Sequence, residues 1–506
     1  SSFGLKGGRN AEALDVAEKA LKNIWRLPPW PLVEESLEKV WAYQQENTTS
    51  WQFTIHSLII LDYLAEAHKR SGDDRYLKRG EEIILSWIQN NPEDNPPNRF
   101  SWSDHSTANR GISICRFLDY AKACNHSVDK VLAEKIADSL LKHGFYLSEE
   151  ANYTQRHNHG IFQDYSLIII ADHLKAGSFT NDWLVTARKR LDEQVKVTYS
   201  RNGVHLENSP GYHWVITDLL NRTSHYLEKA GIESPPQLAD ILPKALEVTP
   251  SFCMNCGSLA PVGDTGRGKG ESFCTTIDKT PAFRVFPEAN YGIVRDDLYL
   301  FFNASHNIPT HKHCDDLSIV VSDDQGIILT DPGHLSYETT KERSYTNSWI
   351  AHNTITTADE PPTSRSTRSK QLGVIAFGSS EEYTFLQGRS VRGTGIDHIR
   401  SILYDKAEDV ILIVDQCSSP RSRTWLRSFY FDPGTSVAEI EEANLAVKTS
   451  WGEQYTMSFE PKATERQIIA GQVDPLQGWV AEPKQGLIPA PATIERLEGQ
   501  RVTLVA

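Results

Sequence analysis

At 506 residues with a formal net charge of −14, the chain is long enough for two substantial cores. It lacks the lysine and arginine surplus that phosphate contacts demand, which argues against a nucleic-acid binder. Hydrophobic residues make up 39% and charged ones 23%, and no uninterrupted apolar run approaches the roughly 20 residues needed to cross a bilayer.

The opening SSFGLKGGRN carries no initiator methionine, basic stretch or apolar stretch of a secretory leader, so the sequence leaves its compartment open. From about 11 to 248 the apolar spacing is helical: Leu14, Ala17, Leu21 and Ile24 recur at three and four, as do Ile84, Trp87 and Ile88, and then Leu132, Ile136 and Leu140. Breakers fall between these segments, PPWP at 28–31, SGDD at 71–74, NPEDNPP at 91–97 and SPG at 209–211, and roughly ten helices are predicted. Helical hairpins with no strands between them predict a ring or solenoid of α/α pairs, each burying its apolar stripe against the next. Past about 283 the pattern changes to short β-branched or aromatic runs, Leu298–Phe302, Ile327–Thr330, Val374–Phe377, Val410–Val414 and Phe429–Phe431, bounded by DDQG, DPG and SSPRS. These predict an antiparallel sandwich. The junction is expected within 250–282, around GDTGRGKG, giving a helical domain over 1–255 and a sheet domain over 256–506.

Seven cysteines, Cys115, Cys124, Cys253, Cys256, Cys274, Cys314 and Cys417, form an odd, scattered set with one C-x-x-C, Cys253 to Cys256. A four-cysteine zinc site or a dense disulfide framework is not expected, and mostly free buried thiols are.

Five stretches concentrate reactive side chains. In HKHCDDLSIVVSDDQGIILTDPG, 311–333, two predicted strands flank the DDQG turn and carry Asp331 back toward the head of the first. A simple register sets Asp331 nearer Ser318 than His313, so the first strand must bulge or bend for contact. His311 and His313 would share a face if extended, and SWIAHNTITT adds His352 on another predicted strand. Two imidazoles and a carboxylate suit a zinc-type ion; the plainer reading is polar surface or hydrogen-bonded core.

In the helical half, RHNHGIFQDYSLIII sets Asn158 and His159 before an apolar run, and ENSPGYHWVITDLL sets Tyr212 and His213 at a helix start behind Pro210. Such junctions either aim polar groups into a cavity or cap the helix, with Asn158 or Ser209 accepting backbone N–H bonds. WSDHSTANRGISIC brings Trp102, His105 and Arg110 to the start of another helix. An aromatic with cationic groups fits sugar stacking plus carboxylate or sulfate contacts, or else a core tryptophan with a structural arginine.

Taken in order, W-x-D-H-x-T-A-x-R at 102–110, N-H-G at 158–160, S-P-G-Y-H at 209–213, and H-K-H-x-D-D-L-S with D-P-G and A-H-N-T across 311–354 resemble the heparinase II/III-like polysaccharide lyases and the related alginate lyases. The resemblance implies an N-terminal incomplete (α/α) toroid followed by a C-terminal antiparallel β-sandwich, with substrate bound in the cleft between them. It implies breakage of an acidic, uronate-containing polysaccharide by β-elimination, and a periplasmic or secreted location. Carried over residue by residue, it puts catalysis on Asn158, His159, Tyr212 and His311, and the ligands of one divalent metal, usually zinc, on His313, Asp331 and His352. A further family tyrosine near the cleft is matched by Tyr345; with Trp102, His105, Arg110 and His213 it completes the expected substrate-contacting set. Cys314 stands where an alanine is common.

Elimination removes the C5 proton of the uronate and expels the O4 oxygen, so the carboxylate must be neutralised by donors in a water-poor site, a role expected of Asn158 and His311. Tyrosine ionises near about 10, so Tyr212 needs neighbouring positive charge to act as base, with His159 as the alternative base for the opposite geometry. The metal is expected to be structural, fixing His313 and thereby the loop of His311, rather than a Lewis acid. Glycosaminoglycan-like glucuronate polymers are expected over alginate. Rival readings are an inverting glycoside hydrolase using Glu207, Asp264 or Asp315, and a polysaccharide-binding or capsule-assembly protein without turnover.

Overall fold

A computed structural model describes residues 8–45, 48–274, 279–362, 366–367, 369, 371–441, 444–482 and 485–506. Residues 1–7, where no leader was read, lie outside the described residues. The chain forms two compact units: the first runs to Thr198 and takes in Leu219–Asp240, and the second is Tyr199–Asp218 with Ile241–Ala506.

In the first unit, the predicted helices are α1 (Gly8–Ala20), α2 (Thr49–His56), α3 (Ile60–Ser71), α4 (Arg75–Asn90), α5 (Asp104–Ala123), α6 (Lys130–Ser148), α7 (Asn158–Leu174) and α8 (Ser178–Thr198). Two more, α9 (Pro210–Ala230) and α10 (Pro236–Val248), begin in one unit and end in the other. Local chemistry sets the ends: Ser103 accepts from the Ser106 N–H to cap α5, Asp129 caps α6, and α3 stops on Gly72 in the left-handed region. Helices α1, α3, α5 and α7 pack in succession, and α4, α6 and α8 form a second row. That is the two-row order of α/α pairs the hairpin pattern predicts. Helix α7, with Ile161 and Leu167 through Ala171 all buried, is covered all round, as a core helix must be.

The second unit holds two main antiparallel sheets. Strands Ala282–Phe286, Tyr291–Arg295, Tyr299–Asn303, Ser318–Ser322 and Ile327–Leu329 pair in that order. In the other sheet, Glu465–Ile469, Ala492–Val505, Val410–Tyr430, Asp397–Asp405, Tyr383–Val391 and Gly373–Ser379 are neighbours in turn, and Ile355–Thr357 also pairs with Val410–Tyr430. Between the sheets, Leu300, Phe302, Ile319 and Val321 meet Leu386, Ile402, Ile413 and Phe429 in one core. The far face of the smaller sheet, Tyr291, Ile293, Tyr299 and Phe301, packs with Val204, Phe252, Met254 and Leu259. A sheet covered on both faces yields unbroken apolar runs, whereas Tyr383–Val391 and Asp397–Asp405 alternate buried and part-exposed positions.

Val204 and the 248–262 segment bury their apolar side chains on the sheet, so 199–218 and the chain after 240 belong with the second unit. The runs at 410–414 and 429–431 are also one strand of 21 residues, not two. SSPRS is a register irregularity between Ser418 and Arg423, which accommodates a proline that cannot donate to the ladder. Among the described residues one disulfide joins Cys253 to Cys274; Cys115, Cys314 and Cys417 are buried and outside any disulfide, and the C-x-x-C pair is not itself bonded.

Candidate active site

In the second unit the GDTG loop, 263–266, organises the first turn of α9. The Thr265 hydroxyl accepts the Gly211 N–H at 2.8 Å and pairs with the Ser209 hydroxyl at 2.9 Å, while Ser209 Oγ accepts from the Tyr212 N–H at 3.3 Å. Capping by Ser209 and the presentation of Tyr212 are therefore one arrangement. A side chain at Gly263 would meet the Asn208 carbonyl at 2.4 Å and the His311 carbonyl at 2.7 Å, and its φ is +57°, so only glycine fits this close approach. Asn208 holds the opposite strand of the loop, donating to the Ile308 and Thr310 carbonyls at 2.7 and 2.9 Å.

The segment ahead of Ser318 is not strand. His311 and Leu317 both sit in the left-handed region, at φ 55° and 61°, a conformation that non-glycine residues adopt only when the surroundings fix it. So His311 and His313 do not share a strand face; they converge instead on one carboxylate. Asp264 Oδ2 lies 2.7 Å from His311 Nδ1, and Asp264 Oδ1 lies 3.0 Å from His313 Nε2 and 2.7 Å from Arg343 Nη2. On the other nitrogen of His311, Nε2, stands Glu207 at 3.4 Å. The His311 imidazole stacks on the Tyr212 ring, centroids 3.4 Å apart and planes within 16°. Tyr212 Oη in turn contacts Tyr337 Oη at 2.5 Å, and Lys269 Nζ lies 5.9 Å from the Tyr212 ring centre.

The electrostatics follow from burial and charge. Burial disfavours an imidazolium at His311, but Asp264 and Glu207 outweigh it and raise its pKa above the ordinary value. Burial likewise works against ionised Asp264, yet His311, His313 and His334 hold it well below the carboxylate range. Tyr212 is raised, first by burial and then by Asp264 and Glu207, with the Tyr337 hydroxyl and Arg343 opposing. In the free protein it is a neutral phenol.

His313, Asp331 and His352 come together with one ligand atom from each within 4.8 Å of the others, all buried. The fit to a metal is tested by two atoms. His313 Nδ1 and His352 Nε2 are buried without a hydrogen-bond partner, a cost that ordinary packing avoids. Each ring's other nitrogen is held by a carboxylate, His313 Nε2 by Asp264 at 3.0 Å and His352 Nδ1 by Asp331 at 2.8 Å. Burial lowers the His313 pKa to about 4, so it is a neutral ligand at physiological pH. Buried orphaned imidazole nitrogens with carboxylate-held partners are what a zinc-type site requires. His352 itself follows a short turn, Trp349–Ala351, rather than lying on a strand.

The first unit gathers a second cluster. Asn158 opens α7 and is 2% exposed; capping falls not to it but to His157, whose Nδ1 accepts the His159 N–H at 3.2 Å. His159 Nδ1 pairs with Asp104 Oδ2 at 2.8 Å, and the Thr154 hydroxyl donates to the same oxygen at 2.6 Å. His105 stacks on His159 at 4.0 Å. Burial and the neighbouring His159 depress the His105 pKa, leaving it neutral.

Several residues expected to contact substrate make bonds within the protein. Arg110 is fully buried: Nε donates to His143 Nε2 at 2.7 Å, Nη1 to the His56 carbonyl at 2.8 Å, and the guanidinium lies 3.7 Å over Trp87. Trp102 belongs to the same aromatic box, its indole N–H donating to the Asn91 carbonyl at 3.1 Å. His213 is buried between the His205 N–H and the Thr249 hydroxyl. Tyr345 is buried and donates to the Trp479 carbonyl. The tyrosine beside Tyr212 is Tyr337, 47% exposed. Tyr337, His334 and Arg343 lie just past the D-P-G motif, and Asp264 lies in GDTG; the left-handed glycine of that loop was the available signal.

Residues 10–291 match the heparinase II/III N-terminus family, and residues 278–501 match the heparinase II/III-like C-terminal family. The chain belongs to the heparinase II/III family. A curated relative of this heparinase II/III chain, a heparin-sulfate lyase of Bacteroides thetaiotaomicron, is 24% identical over 216 residues, a stretch covering 42% of the chain and 30% of that relative. Among solved structures, a heparinase III is similar with a TM-score of 0.80 at 16% identity, covering 100% of this chain and 85% of that one. A mutant heparan sulfate lyase from Pedobacter heparinus gives 0.70 at 13% identity, covering 100% and 84%. At these identities the structural likeness establishes the fold: a helical α/α toroid domain and an antiparallel β-sandwich.

Proposed function

We propose that this heparinase II/III family member is a polysaccharide lyase that cleaves a glycosaminoglycan-like, uronate-containing chain by β-elimination, with Tyr212 transferring the proton. The observation that carries the reading is the Tyr212–His311 stack, with His311 clamped between Asp264 and Glu207. The His311 imidazole lies flat against the phenol with each of its nitrogens facing a carboxylate, and Arg343 and Lys269 bring the positive charge a phenolate needs. In the reaction the Tyr212 phenol first gives up its own proton to solvent as substrate binds; the C5–H bond then breaks as its proton passes to the phenolate Oη, its electron pair forms the C4–C5 double bond and the C4–O4 bond breaks. The same phenol then returns its proton to the departing O4 when both lie on one face of the sugar.

Asn158 takes the expected role of donor to the uronate carboxylate. His159, oriented by Asp104, is the base for the opposite stereochemistry. Positioned acid–base help of this kind contributes about 10²–10⁴-fold. His313, Asp331 and His352 would hold a zinc-type ion, which when bound supplies a fixed positive charge that orients His313. Through Asp264 that orientation reaches His311; the chemistry itself runs on Tyr212.

The hydrolase alternative needs a carboxylic acid and a carboxylate facing a sugar. Glu207 and Asp264 are both engaged with His311, and Asp315 is buried against Lys312 and Asn303, so none is offered for that work. The names of the relatives favour heparin or heparan sulfate as substrate, ahead of alginate. The test is Tyr212→Phe assayed against heparan sulfate, heparosan, chondroitin, hyaluronan and alginate by the ultraviolet absorbance of unsaturated uronate. Product formation is expected to vanish with substrate still bound; near-normal turnover in that variant removes Tyr212 from the mechanism.

A further inference from the structure

Within the first unit, α5, α7 and α9 line a cavity of about 870 Å3, a size in the range of small-molecule sites. Each helix turns one stripe toward it: Arg116 and Asp119 from α5, Tyr165 and Ile169 from α7, Arg222 and Lys229 from α9. Intervals of three, four and seven stack side chains on one helix face. Phe162, one turn beyond His159, marks one end; it also packs on His105 at 4.8 Å.

The walls are positive in a chain whose net charge is −14. Arg116, Lys122, Lys175, Arg222 and Lys229 face two carboxylates, Asp119 and Asp172. The excess is three positive charges, or two once Asp62, 3.3 Å from Arg116, is counted. Both acids are already engaged: Asp172 accepts the Tyr226 hydroxyl at 2.9 Å and pairs with Lys175 at 3.5 Å, and Asp119 pairs with His173 at 3.0 Å. Lys122, Arg222 and Lys229 stand exposed at the rim.

We infer that this cavity is a second binding site for an acidic saccharide, distinct from the Tyr212 cluster. Aromatic faces at Phe162, Tyr165 and Tyr226 suit sugar rings, and the amides of Asn109 and Asn221 suit hydroxyls. Cations spread over α5, α9 and the residue that ends α7, Lys175, match sulfates or carboxylates repeated along a glycan, rather than one compact phosphate. The site stands on its own walls, so its fate is separate from that of the proposed elimination.

The experiment is calorimetric titration of the intact protein with a sulfated uronate-containing disaccharide, with inorganic sulfate and cellobiose as controls, at low and high salt. Arg222→Glu/Lys229→Glu is expected to weaken disaccharide binding about tenfold or more through two lost charge-assisted contacts. Salt weakens it as well, and Tyr212→Phe leaves it intact. Lys122→Glu, a single exposed change, is expected to act in the same direction and serves if the double variant does not fold. Unchanged affinity in the charge-reversed proteins overturns the site. Sulfate or cellobiose binding as tightly as the disaccharide overturns its assignment to an acidic sugar.

Discussion

Replacing Asp264 by asparagine keeps the shape of the side chain and removes its charge. The carboxylate is 3% exposed and serves Arg343 and His311 at 2.7 Å and His313 at 3.0 Å. An amide offers a single acceptor oxygen and turns an NH2 toward at least one of these donors. Removing one partner of a buried ion pair costs about 3–5 kcal/mol. Glu207 remains 3.4 Å from the far side of His311, so the lower end, about 3 kcal/mol, is expected. For a unit of this size that lowers the melting midpoint by about 6 °C. Catalysis should suffer more, because His311 loses the contact that holds its ring flat on Tyr212. A fall in kcat of about 100-fold or more is expected, with KM little changed. Circular dichroism melting and initial rates of unsaturated-uronate release measure the two effects. A midpoint within about 1 °C of the parent, with undiminished turnover, refutes the reasoning.

Three further outcomes follow from the geometry. Arg110→Lys loses the bonds to His143 and the His56 carbonyl; it is expected to cost about 2–3 kcal/mol of stability and to leave KM unchanged, and a raised KM in a protein of normal stability would return Arg110 to the substrate. Elemental analysis is expected to find one divalent ion per chain, absent in His352→Ala, with chelation lowering the melting midpoint; metal-free protein unaffected by chelator contradicts the site. His56, His205 and His213 are buried neutral, with pKa lowered by burial to about 3, 4 and 3. Their folded values lie below the unfolded value of about 6.5, so their contribution is whole above it and is lost as pH falls, by about 2 kcal/mol each at pH 5. Melting midpoints equal at pH 7 and pH 5 would count against this.

The helical half was legible because its helices are amphipathic or uniformly apolar and end on strong breakers, and the ordered motifs single out Asn158, His159, Tyr212, His311 and the His313, Asp331, His352 triad as candidates. What spacing hid was engagement across the sequence. Nothing local tells that Asp264 serves His311 and His313, 47 and 49 residues later, or that Arg110 is consumed by His143 and His56. An arginine beside a tryptophan reads alike in a binding cleft and in a core. Tyr345 is matched to the cleft tyrosine by the family resemblance alone, and periodicity gives no burial for a short turn-rich segment; its bonds to the Trp479 backbone, 134 residues away, hold it in the interior. The strand Val410–Tyr430 shows in the sequence as two separate runs with SSPRS between them, and a register irregularity lets it continue past the proline.

That long strand also fixes an order of events during synthesis. Its first half lies beside Asp397–Asp405, its second half beside Ile355–Thr357, and Ala492–Val505 flanks it along both. While the ribosome has yet to deliver Ala492–Val505, one edge of Val410–Tyr430 stays unpaired. Tyr212, made some three hundred residues before, waits on GDTG and then on HKH for its surroundings. The first helices emerge early, whereas Tyr212 gains its neighbours only once His311 and Tyr337 are made, so a nascent chain stalled before them carries helices without the Tyr212 cluster.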